Sequence, residues 1–191
     1  IWATAVELGL PVLMHIADPV AFFKPVDATN ERFEELTRYP EWSFCKPGLF
    51  SFAELMEQQE DLVRQNPATT FIIAHGASYS ENLGRVGAWL DAYPNLYIDL
   101  AARLAEFGRQ PYTARRFFQE HQDRILFGID AVAGYPFGYH PYFEFLETWN
   151  EYFSYSGSKI PGQGRWNIYG IGLEDDVLRR VYFENAERIL G

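Results

Sequence analysis

His15, His75 and Asp130 stand where short apolar runs of the chain stop, and Asp99 sits late in another such run. Imidazole and carboxylate are the donors that zinc and other divalent first-row ions accept, and three protein ligands with one open position form a catalytic arrangement. The same side chains also serve as general acids and bases, because imidazole titrates near neutral pH. A lone His or Asp at such a place is usually a core hydrogen-bonding group or a helix cap. Several at equivalent places on different runs point to one shared site.

The elements that would position them alternate. Ile1–Leu8 reads as a helix, closed by Gly9 and Pro11, and Val12–Ile16 as a buried strand. A long polar and aromatic loop follows, to about Phe50. Ser51 and Glu54 have the capping-box spacing and open a helix that Asn66-Pro67 ends. Thr70–His75 is a second strand, residues 81–93 a helix, Leu96–Leu100 a third strand, Thr113–His121 a helix and Arg124–Gly128 a fourth strand. A last helix spans Leu173–Leu190. Strands alternating with helices imply parallel βα units. Uninterrupted apolar strands imply that both sheet faces are covered. The fold class is therefore α/β, one domain over residues 1–191. In such folds the C-terminal strand ends converge on the active site, so His15, His75 and Asp130 are expected to meet there. Because the chain opens inside a helix with no capping residue before it, a fragment of a larger barrel is expected.

Composition narrows the partners. Sixteen Lys and Arg against 26 Asp and Glu leave a formal net charge of −10, which disfavours nucleic acid and anionic membranes. No apolar run approaches the roughly 20 residues that span a bilayer. The single Cys45 cannot form an internal disulfide, so a reducing cytoplasm fits, and Cys45 reads as structural. Aromatic residues make up 17% of the chain and gather in the stretches 135–142 and 152–169, which could line a pocket. Phe22, Phe23, Trp42 and Phe44, in the loop after His15, could roof a pocket for a small-molecule substrate or bury a lid. Arg103 and Arg109 follow the third strand and are candidates to clamp a substrate carboxylate; a surface pairing with Asp or Glu is the alternative. His121 is expected to be solvated, and His140 to lie in an aromatic loop packed on itself. No Gly-x-Gly-x-x-Gly follows a strand, so a dinucleotide-binding module is disfavoured.

Four runs, taken in order, carry a resemblance: Glu7-Leu8-Gly9-Leu10-Pro11-Val12-Leu13-Met14-His15, Phe71-Ile72-Ile73-Ala74-His75-Gly76, Arg124-Ile125-Leu126-Phe127-Gly128-Ile129-Asp130, and Glu184-Asn185-Ala186-Glu187-Arg188-Ile189-Leu190. Together they resemble successive motifs of the amidohydrolase-related family, which includes the aminocarboxymuconate-semialdehyde decarboxylase group. The resemblance implies a distorted (β/α)8 TIM-type barrel, of which this chain would hold the last four βα units, the C-terminal half. It implies His15 and Asp130 as metal ligands. His75 would be a second ligand, as in binuclear hydrolases, or an acid/base beside the metal, as in the decarboxylases. Ile129 and Ala77 depart from the usual Thr and Gly of the motifs, and the family's His-x-His pair has no counterpart among these residues. The cofactor implied is a divalent ion, zinc first and manganese second. Hydrolysis by a metal-bound water, with Asp130 receiving its proton, is the first expectation for the reaction. Non-oxidative decarboxylation is the second, and a non-catalytic binding module or degenerate half-barrel, open to homo-oligomeric association, the third.

Overall fold

In the computed structural model, residues 1–131 and 138–191 are described. Four strands form one parallel sheet in the order β1-β2-β3-β4: β1 Val12–Met14, β2 Phe71–Ile73, β3 Leu96–Asp99 and β4 Ile125–Leu126. The register is regular, with Val12 opposite Phe71, Phe71 opposite Leu96 and Ile98 opposite Ile125. Sequential strands that pair in parallel need a crossover each time, and the intervening helices supply it. All four strands are shorter than the apolar runs that announced them. The residues beyond each run turn away from the ladder to form the strand-end loops.

The helices pack on one face of the sheet. Phe71, Ile73, Leu96, Ile98 and Ile125 are fully buried there, against Met56 and Val63 of the helix Phe52–Gln65, Val86, Trp89 and Leu90 of Leu83–Ala92, and Phe117 and Phe118 of Pro111–Glu120. Alternate strand residues point to the opposite face, where Ile72 and Leu126 are buried but Leu13 stays 66% exposed and Tyr97 half-buried. The expectation that both faces are covered holds for the first face and only in part for the second. In a closed barrel the inner face is covered by the opposing strands, and in these residues β1 and β4 each have only one strand neighbour.

Local signals set the helix ends. The Ser51 hydroxyl accepts the Glu54 N–H while the Glu54 carboxylate accepts the Ser51 N–H, the reciprocal pair expected from the spacing. The helix expected from residue 81 starts at Leu83, because Asn82 caps it by accepting the Arg85 N–H. Pro111 opens the next helix two residues early, since a missing N–H is harmless in a first turn.

Other stretches differ from the sequence reading. The long loop before Phe50 contains a short helix, Phe33–Arg38, and Leu104–Gly108 is a further helix after β3. The last helix begins at Asp175 and passes through a π-helical turn, Arg180–Glu184, before Asn185–Leu190. The turn leaves the Val181 carbonyl free to accept the Phe127 N–H at 2.9 Å, which stitches the chain just beyond β4 to this helix. Buried Asn185 adds to the stitch by donating to the carbonyls of Gln122 and Ile125 at 2.7 and 2.8 Å. None of the described helices is long and apolar enough to cross a membrane.

Candidate active site

His15, His75 and Asp130 line one cavity of about 390 Å³ at the C-terminal ends of the strands. The His15 and His75 rings meet edge to face with centroids 4.8 Å apart, and His15 Nε2 lies 3.8 Å from Asp18 Oδ1. Arg103 joins them on the wall, as do Phe22 and Trp42 from the loop after β1, two of the four aromatic residues expected to roof a pocket. Their rings stack at 6.4 Å and 17°. The other two, Phe23 and Phe44, line a separate apolar groove.

The backbone at the strand ends is held in unusual conformations. His75, Gly76, Ala77 and Ser78 all have positive φ, 63°, 62°, 55° and 58°, as do Ala102 at 52° and Asp130 at 58°. A non-glycine residue in that region costs on the order of 1–3 kcal/mol and persists only where its surroundings hold it. Here they hold it from three sides. Asp99 Oδ1 accepts the His75 N–H at 2.8 Å, Ser78 Oγ accepts the Ala17 N–H at 3.2 Å, and Gln59 donates to the Ala77 carbonyl at 3.1 Å. Gly76 is needed twice over. Its φ is 62°, and a Cβ there would meet the Phe107 ring and Ser80 Cβ at 3.0 Å. We therefore expect Gly76→Ala to destabilise the fold by about 1–3 kcal/mol through overpacking and left-handed strain, read from a urea midpoint. An unchanged midpoint would mean that the turn relaxes freely.

The electrostatics separate the two histidines. Burial, then the Arg103 guanidinium, hold the His75 imidazole below its usual range and so favour its neutral form. Asp99 is pushed up by burial while the His75 N–H pulls it down. His15, with its side chain 52% exposed, and Asp130, also exposed, stand on the open side of the cavity. Two imidazoles and a carboxylate bordering one space are donors of the kind zinc or manganese takes. Among the described residues no three His, Cys, Asp or Glu side chains lie close enough to enclose an ion.

Several candidates part company here. Arg103 is 5% exposed and faces the cavity, whereas Arg109 pairs with Glu31 at 2.7 and 3.2 Å and lies over the Trp166 ring at 4.4 Å. Arg109 thus follows the alternative of a surface ion pair. His121 is largely covered rather than solvated, packed on Phe117 and 3.7 Å from Asp91. His140 opens the helix His140–Glu147 instead of lying in a loop, and its side chain is exposed. Cys45 is exposed too, so it supports no core. Tyr135, at the start of the aromatic stretch 135–142, lies outside the described residues.

Sequence reasoning missed Asp18, Arg32, Glu35 and Gln163 in the cavity lining. Arg32 is fully buried, bonded to the equally buried Glu106 and to Glu35 at 2.5 Å. Burial works against its charge, but Glu106 and Glu35 outweigh that and raise its pKa. The Arg32/Glu35 spacing of three residues was a weak helical pairing signal, and nothing in the sequence linked either to Glu106.

The model of the amidohydrolase family matches residues 1–191, end to end. The chain belongs to the amidohydrolase family. The dihydroxybenzoic acid decarboxylase of Polaromonas sp. JS666, solved with bound manganese and the inhibitor 2-nitroresorcinol, superposes over 98% of this chain and 52% of its own, with a TM-score of 0.52 at 14% identity. The 2,6-dihydroxybenzoate decarboxylase from Rhizobium gives a TM-score of 0.50 at 16% identity, over 98% of this chain and 53% of its own. At such identity the likeness is one of fold, a partial (β/α)8 barrel. This amidohydrolase chain spans about half the length of the structures it matches. No curated protein matches the sequence.

Proposed function

We propose that these residues form the C-terminal half of a metal-dependent barrel enzyme that decarboxylates a small aromatic carboxylate without redox chemistry. The observation that carries the reading is Arg103. It is buried in the cavity wall beside His75, it donates to the Ala102 carbonyl at 2.8 Å, and its nearest carboxylate, Asp18, stands 4.0 Å away. A buried guanidinium whose only anion in reach among the described residues is Asp18 at 4.0 Å is weakly paired, and a substrate carboxylate would supply a closer partner with bidentate geometry. The stacked Phe22 and Trp42 offer a flat apolar wall for a ring.

His15 and Asp130 would hold a divalent cation, zinc or manganese, together with donors from the rest of the protein. Bound there, the ion supplies a positive centre that polarises substrate oxygens and acidifies bound water. The chain's own residues do the remainder. Arg103 holds the carboxylate against the wall. His75, neutral with its hydrogen on Nδ1, first takes a proton from water at the Nε2 lone pair and then delivers it to the carbon that bears the carboxylate, so each turnover consumes one proton from solution. The bond to the carboxylate carbon then breaks, its electron pair cancels the charge that protonation created, CO2 leaves, and no oxidant or reductant is consumed. Hydrolysis, the first expectation from the sequence, uses the same donors but gives Arg103 no partner.

The test is to incubate the intact protein with 2,6-dihydroxybenzoate and related aromatic acids and measure CO2 release, alongside a panel of neutral amides and esters. Arg103→Met should raise KM for the acids by about 10- to 100-fold, the worth of roughly 1.5–3 kcal/mol for hydrogen bonds to a charged group. Turnover of neutral amides that ignores the Arg103 substitution would replace decarboxylation with hydrolysis.

A further inference from the structure

Asp99 is a carboxylate late in β3, and its hydrogen bonds commit it to the backbone of the neighbouring strand ends. It is the last residue of β3, one step beyond the Ile73–Ile98 pair that ends the β2–β3 ladder. One carboxylate oxygen, Oδ1, accepts the His75 N–H at 2.8 Å and the Ala101 N–H at 3.0 Å. The Ala101 carbonyl then faces His75 Nδ1 at 2.8 Å. A carbonyl can only accept, so in the neutral imidazole Nδ1 carries the hydrogen and Nε2 keeps its lone pair. The three contacts close a ring: carboxylate to the backbone of residue 75, imidazole to the carbonyl of 101, and the N–H of 101 back to the carboxylate.

We infer that Asp99 is a positioning residue, which clamps the peptides at 75 and 101 so that the Ala101 carbonyl fixes the His75 imidazole with hydrogen on Nδ1 and leaves the Nε2 lone pair as the site that takes up and gives up the transferred proton. The clamp also accounts for the left-handed conformation of His75. That conformation satisfies the residue's N–H through Asp99 at the point where the strand ladder has ended. In metal and acid/base sites, a hydrogen bond at one ring nitrogen sets what the other can do. Here the orienting carboxylate acts through a backbone carbonyl rather than on the ring itself.

The inference rests on reading His75 as the proton-carrying group, yet it can be tested on the imidazole alone, so its failure is separable from that of the proposed reaction. The intact protein is labelled with ¹⁵N-histidine, freed of metal with EDTA, and compared by NMR with Asp99→Asn, Asp99→Ala and Asp99→Ser; His75→Asn assigns the signal. The wild type should show the Nδ1–H form. Asp99→Asn should keep it, because the amide oxygen accepts the same two N–H groups. Asp99→Ala and Asp99→Ser should lose it to a mixture of tautomers. A wild type in the Nε2–H form, or a folded Ala or Ser variant that keeps Nδ1–H, would overturn the assignment. So would unfolding of both the Ala and Ser variants with Asp99→Asn intact, which would reduce the carboxylate to a structural role.

Discussion

Glu106→Ala should lower the stability of the fold by about 3–5 kcal/mol, the range found when one partner of a buried ion pair is removed. Glu106 and Arg32 have side chains 0% and 1% exposed, so neither charge sees water. Arg32 lies in the loop after β1, and Glu106 in the helix Leu104–Gly108 after β3. Their bond therefore ties two strand-end loops together behind the cavity. Without Glu106 the guanidinium keeps only Glu35, whose carboxyl burial pushes up while Arg32 pulls it down. The variant leaves a buried cation half-compensated, which is more damaging than deleting both charges. Urea unfolding checks this, with Arg32→Met/Glu106→Leu as the companion. The double variant should recover much of the loss, because replacing a whole buried pair by apolar groups is often neutral. A single variant within 1 kcal/mol of wild type would mean that water already reaches the pair.

His75→Asn should cut kcat by a factor of about 10² to 10⁴, the usual contribution of a positioned acid/base group, with the far-UV circular dichroism unchanged. Asparagine is the informative replacement because residue 75 has φ 63°, a region that Asn enters more readily than most residues. Gln or Ala would add strain and confuse loss of chemistry with loss of fold. Asn retains the backbone N–H that Asp99 accepts but has no imidazole to carry a proton. A variant with near wild-type kcat would remove His75 from the proton transfer.

Much of this was legible in the chain. The alternation of apolar runs and helices dictated a parallel sheet, because each crossover has to be long, and the runs ending in His15, His75 and Asp130 belong to that one sheet and end at one cavity. What stayed hidden was whatever depended on residues far apart in sequence. The left-handed turn at residues 75–78 is stabilised by Asp99, Gln59 and Ala17, none of which is a local neighbour. Helix Phe33–Arg38 is too short for its propensity to stand out from a polar loop; docking of Arg32 on Glu106 holds it. Arg103 and Arg109 looked equivalent. Only the packing of Trp166 and Glu31 around one of them decided which would face the cavity.

The central claim is that His15 and Asp130 hold a divalent ion in a barrel of which these residues are half. The most direct measurement is calorimetric titration of Mn²⁺ and Zn²⁺ into the metal-free intact protein and into its His15→Ala and Asp130→Ala variants. The account predicts one ion bound per chain by the wild type. It also predicts a loss of affinity in each variant beyond about 100-fold, the upper end for groups that merely support a ligand. Equal binding by all three proteins, or no binding by the wild type, would contradict it.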